Sequence, residues 1–279
     1  MEATLATNRN QTNSTFHTSQ PFTNTLQSEL TKFRSVKSSF WSLIVANGVT
    51  IVLSAIICEA VVNRWNQRSL SERILFDPTT RSLTGIVLAQ LAIGVLGVLL
   101  ISAEYSSGTI RATFAATPNR TKVLTAKAVV FAVITYITCL VSVLIAFGVG
   151  QAIFTQVGVG ASIGQPGVLR VILMSALYLT IGGLFALGLG TLVRHTAGGI
   201  TAFVVMMLVL PGIVRALPSP WSSDIGRYLP NAAGLAMTSV IKQHAGGDML
   251  GPLAGLAVFC GWAALALVVG GTRLVTRDA

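Results

Sequence analysis

Six long, predominantly apolar stretches of the 279-residue chain contain no Asp, Glu, Lys or Arg: 38–58, 82–103, 128–169, 171–193, 196–214 and 249–272. Crossing the hydrocarbon of a bilayer takes about 20 consecutive apolar residues in a helix. The third stretch is long enough for one crossing and a loop, so six spans is the natural count. Charged residues make up 10% of the chain and hydrophobic ones 52%, with a mean hydropathy of +0.73. A water-soluble domain carries about 25% charged residues, so that class is excluded. A β-barrel needs apolar and polar residues in alternation, whereas these runs are apolar on every face and must satisfy their backbone within helices. The expectation is an all-α integral membrane protein with both termini on the cytoplasmic side.

That orientation rests on the basic residues of the loops. With the N-terminus inside, Arg9, Lys32, Arg34, Lys37, Arg111, Arg120, Lys122, Lys127, Arg194, Arg273 and Arg277 face the cytoplasm, eleven against eight outside. The net charge of +10 is scattered over loops and tails, which makes no stripe for nucleic acid and suits contact with anionic membrane lipid. Residues 1–25 are rich in Thr, Asn, Ser and Gln and read as a disordered polar tail. The sequons at Asn10 and Asn13 are expected by chance in such a composition. Residues 26–279 then form a six-span domain. It opens with a basic amphipathic helix over 26–38, where Leu26, Leu30, Phe33 and Val36 form an apolar stripe and Glu29, Lys32, Arg34 and Lys37 take the other positions.

Catalytic groupings are missing. Glu59 stands at the outer end of the first span, and His17, His195 and His244 fall in a tail or loops. No His-Glu-x-x-His, paired carboxylates, Ser/His/Asp grouping or phosphate-binding loop occurs. Gln90, Asn47, Tyr136 and Tyr178 are the polar residues deepest in the spans and read as interhelical hydrogen-bond partners. Gly182, Ala186 and Gly190 form a row of small residues that lets another helix approach the fourth span, and Pro211 should bend the fifth. Cys58, Cys139 and Cys260 each fall in a span, as small core or lipid-facing side chains. With no energy source of its own, the chain needs a partner to move anything uphill.

The loop 104–122, between the second and third spans, carries a signal. Gly108 permits a sharp turn, Thr109 can cap a short helix, and Ile110 and Phe114 then share one face until Pro118 ends it. Such a knob suits either a socket on another protein or a place flat on the lipid, and the residues alone leave both open. The succession Glu104, Gly108-Thr109, a short helix with Arg111, Pro118-x-Arg120 and a downstream Ala126-Lys127 resembles the coupling loop of type-2 ATP-binding-cassette (ABC) transporter permeases.

Length, span count, the 26–38 helix and a long outer segment (215–248, with Tyr228-Leu229-Pro230-Asn231 and a short helix up to Lys242) fit the same family. The resemblance implies a permease subunit of an exporter in the cell membrane, working with two separate ABC ATPase subunits that hold ATP and Mg and dock on the loop. It also implies a second permease copy or a sister permease. Glu104, Gly108, Thr109, Pro118 and Arg120 are carried over as coupling-loop positions, beside Ile110, Arg111 and Phe114 of the helix itself. An apolar path would suit a drug, peptide or lipid. Without the resemblance, an ATP-independent membrane receptor or immunity component, or a membrane enzyme, remain alternatives.

Overall fold

In a computed structural model of the chain, residues 21–35, 37–117, 119–238 and 250–276 are described, and they form helices and turns with no strand among them. The helices, in order, are α1 (Phe22–Ser35), α2 (Lys37–Asn63), α3 (Leu70–Ile74), α4 (Pro78–Ser82), α5 (Ile86–Ser106), α6 (Thr109–Ala116) and α7 (Arg120–Phe154). They continue with α8 (Val168–Val193), α9 (Thr196–Val204), α10 (Leu210–Arg215), α11 (Trp221–Gly226), α12 (Pro230–Met237) and α13 (Pro252–Thr276). Six segments are long and apolar enough to cross a membrane: Trp41–Asn63, Ile86–Ser106, Arg120–Val157, Val168–Val193, Thr196–Arg215 and Pro252–Thr276. Val36, Pro118, the chain before residue 21 (His17 and both sequons included) and 239–249 with Lys242 and His244 lie outside the described residues.

The fourth span, α8, is the centre of the bundle and packs against α5, α7 and α13. Glycines make this approach close. A Cβ on Gly97 of α5 would collide with the Gly183 carbonyl of α8, and one on Gly188 would lie 2.6 Å from the Ala266 carbonyl carbon of α13. The expected row is correct for Gly190, where a Cβ would lie 3.1 Å from Val98 Cα, but Gly182 has ordinary room. The tight contacts follow Gly183, Gly188 and Gly190 instead, because α8 is enclosed on more than one side.

Two helices depart from the expected boundaries. The third span begins at Arg120, before the charge-free stretch, because the Asn119 Oδ1 accepts from the Lys122 N–H (3.1 Å) and nucleates the helix there. It ends at Phe154, and the residues after it turn through Gly158 and Gly167, both at positive φ. The N-terminal helix α1 starts at Phe22, within the segment expected to be tail, and stacks on α7. Phe33 is buried and Leu26 half-buried, whereas Leu30 is exposed, so the stripe is only partly used.

Around Pro211 the fifth span departs from regular α geometry, and the donor that the proline lacks is replaced from another helix. Residues Val205–Val209 form a π turn between α9 and α10. Proline has no N–H, so the carbonyl four residues earlier, Met207, loses its helical donor. The Asn231 Nδ2 of α12 donates to that carbonyl at 2.8 Å.

Candidate functional site

The knob forms as a helix, α6, standing between the second and third spans. Gly108 takes the left-handed conformation (φ 71°) and itself occupies the N-cap position, so Thr109 is the first helical residue rather than the cap. The Thr109 and Ser107 hydroxyls lie 2.9 Å apart. The apolar face is turned inward. Ile110 is only 3% exposed, packed with Ile101 of α5 and Leu187 of α8, and the half-buried Phe114 joins the same cluster. An apolar face offered to a socket elsewhere is therefore corrected: that face holds the helix on its own bundle. The opposite face, with Arg111, Ala112 and Ala115, is exposed.

Arg120 ties the knob to the last span. Its guanidinium lies 5.3 Å from the Phe114 ring centroid, and its Nη1 donates to the Leu274 carbonyl at 2.8 Å. Arg194, in a left-handed conformation at the end of α8 (φ 59°), donates to the neighbouring Arg273 carbonyl (2.6 Å) and stacks on Tyr105. Both cations thus sit at the C-terminal end of α13, where unpaired carbonyls and the helix dipole favour positive charge.

Beside the knob, four charges close into a ring, with Lys127 and Glu29 buried and Lys32 at its solvated edge. Lys127 of α7, 2% exposed, contacts Glu29 Oε2 of α1 at 2.6 Å and Glu104 Oε1 of α5 at 2.8 Å. Lys32 of α1 contacts Glu29 Oε1 at 2.7 Å and Glu104 Oε1 at 3.6 Å. Its ammonium also donates to the Thr113 hydroxyl of α6 at 3.1 Å. Burial alone would lower the Lys32 pKa, but Glu29 and Glu104 outweigh it and hold it above the usual 10.5. Two positive and two negative groups leave the ring neutral, which is how charges persist in such an apolar setting. Alongside lies a cavity of about 340 Å³, walled by Phe33, Leu99, Leu100 and Ala103 and by the hydroxyls of Thr109 and Thr113.

Of the sequence-predicted residues, Glu104, Thr109, Ile110, Phe114 and Arg120 come together at this end of the bundle, and Pro118 lies outside the described residues. Glu29, Lys32 and Thr113 were missed. The periodicity puts Glu29 and Lys32 on the polar side of a surface helix, yet Glu29 is buried against Lys127, a partner 98 positions away that no local pattern reveals. The expected interhelical bonds of the deep polar residues also differ. Asn47 donates back to Leu43 of its own helix (2.9 Å). The buried Gln90 Oε1 and Tyr178 hydroxyl have no partner among the described residues, and Tyr178 packs on Phe259 with ring centroids 5.6 Å apart.

A family model described as "ABC-2 family transporter protein" matches residues 25–212, well over half of the chain. That interval contains most of α1, the knob and the whole charged ring. No curated protein matches the chain.

Proposed function

This chain belongs to the ABC-2 transporter family, a multi-pass membrane permease subunit of an ABC transporter, and from that premise we propose a coupling mechanism, a cargo class and a set of partners. A separate ATPase subunit seats against the exposed face of α6 at Arg111, Ala112 and Ala115, and its ATP-driven closure pushes this helix. The push passes inward through Ile110 and Phe114 to α5 and α8, sideways through Thr113 and Lys32 to α1, and through Arg120 to the end of α13. The observation that carries this reading is the opposed character of the two faces of α6: one fixed to the bundle, the other bare. A helix held this way transmits displacement instead of absorbing it.

Two such permeases, identical or sister chains, and two ATPases form the working assembly in the cell membrane. The α6 end faces the cytoplasm, in keeping with the excess of basic residues on that side. The spans offer mainly apolar and small polar side chains, which supports export of a hydrophobic or amphipathic cargo such as a drug, peptide or lipid. ATP and Mg belong to the partner.

The test is co-purification with a co-expressed ABC ATPase subunit, and measurement of its stimulated ATP hydrolysis. Arg111→Glu combined with Ala112→Asp is expected to abolish association and stimulation while the melting temperature stays within about 2 °C, since neither side chain is buried. Undiminished association in the double variant would overturn the docking face.

A further inference from the structure

Among the described residues, several of the most exposed large apolar side chains lie outside the crossings, on the far side from the knob. Leu70, Ile74 and Leu75 are 74%, 73% and 76% exposed, as much as Leu253 (74%) at the start of the last span and more than Val268 (62%) within it. They stand on and just after α3, where Leu70 and Ile74 share a face at i, i+4. The segment is firmly held. Ser69 and Glu72 form a capping box at its start. Phe76 stacks edge-on against Trp65 (5.0 Å between ring centroids) and Phe154 (5.2 Å), joining the loop to the end of α7. Arg68 lies over Phe76 at 5.5 Å and Arg73 over Trp65 at 5.6 Å, so two guanidiniums are fixed beside the apolar trio. A rigid loop of this kind cannot fold its apolar side chains back into the bundle.

Its depth can be read from α7. From Lys127, in the charged ring, to Phe154, under the aromatic platform, the helix advances 27 residues, which is about 40 Å at 1.5 Å per residue. Hydrocarbon and both headgroup layers together span about 40–45 Å. The platform is therefore level with the headgroups of the leaflet opposite the knob. Arg64, Arg68, Arg73 and Arg81 outnumber Glu72 and Asp77 between residues 64 and 81. We infer that Leu70, Ile74 and Leu75 insert into that headgroup layer, with the neighbouring arginines on anionic phosphates, so that the loop is a lipid-binding anchor of the far leaflet. The occupant is the bilayer surface, because the loop is tied at both ends to crossing helices and its charge suits anionic lipid.

The full chain, with Cys260→Ser to remove the exposed thiol, is labelled with a nitrobenzoxadiazole dye at Leu70→Cys, at Ile74→Cys and, as a reference, at the exposed Gln67→Cys. It is then reconstituted in phosphatidylcholine vesicles with and without phosphatidylglycerol. The expected result is emission at shorter wavelength from positions 70 and 74, with at least threefold weaker quenching by added iodide than at position 67. Headgroup-nitroxide lipid should quench them more than lipid labelled deep in the chain, and phosphatidylglycerol should strengthen the effect. Equal iodide quenching at all three positions would overturn the anchor. So would protection that persists in detergent together with disulfide dimers through position 70, which would assign the patch to a second copy. Neither outcome bears on ATPase docking at the other end of the bundle.

Discussion

Replacing Lys127 with Met keeps the length and apolar bulk of the side chain and removes one charge from the ring. Glu29, 4% exposed, then keeps only Lys32, at 2.7 Å, and Glu104 keeps only the longer 3.6 Å contact. Removing one partner of a buried pair costs about 3–5 kcal/mol, and the remaining lysine argues for the lower value, ~3 kcal/mol. At roughly 2–4 °C per kcal/mol for a chain of this size, the melting temperature should fall by about 6–12 °C. A thiol-reactive dye reads this directly, because Cys58 and Cys139 are buried and react only on unfolding, while Cys260 supplies a constant baseline. Lys32→Met removes a charge that is partly solvated and should shift the transition by no more than ~3 °C. Glu104→Gln combined with Lys127→Met leaves a neutral Lys32–Glu29 pair at 2.7 Å and should restore most of the loss. A Lys127→Met protein melting within ~2 °C of the parent, or this double variant weaker than the single one, would refute the reasoning.

Other expectations follow from the same geometry. Asn231→Leu strands the Met207 carbonyl and should cost about 1–3 kcal/mol, whereas Pro211→Ala returns a backbone donor, so a double-mutant cycle on thermal stability should show the pair to be less damaging than the sum. Gly188→Ala should destabilise by about 1–3 kcal/mol through collision with Ala266 backbone, while Gly182→Ala, with 3.7 Å of clearance, should melt near the parent. Ile110→Ala should cost about 2–4 kcal/mol in the same dye assay, unlike changes at Arg111. The Lys32 ammonium is favoured in the folded state, so its contribution is complete below pH 10.5 and is lost as pH rises through its higher folded value. Melting temperatures measured on both sides of that range should fall more for the parent than for Lys32→Met.

The six crossings are legible because charge is so costly in lipid that its absence marks them one by one. The same rule misplaces the start of the third, since Lys127 is inside the helix and buried, made tolerable by two carboxylates from other elements. The knob could be read from Gly108, Ile110 and Phe114, but an i, i+4 pair looks identical whether it faces a partner or its own bundle. Only the packing with Ile101 and Leu187 settles the direction. Glu29 and Asn231 were opaque for a related reason: each answers a need created far away in the sequence, a lone ammonium in one case and a donorless carbonyl in the other. Local pattern carries no trace of such debts.

The third crossing is one unbroken helix of 35 residues, about 52 Å long, without a proline from the asparagine that starts it to the phenylalanine that ends it. Such a helix has the geometry of a lever. A tilt of ~5° about its first turn would sweep its far tip through roughly 4–5 Å at that length. Under the proposed coupling, work done on one side of the bilayer would reach the other by rigid rotation of this rod.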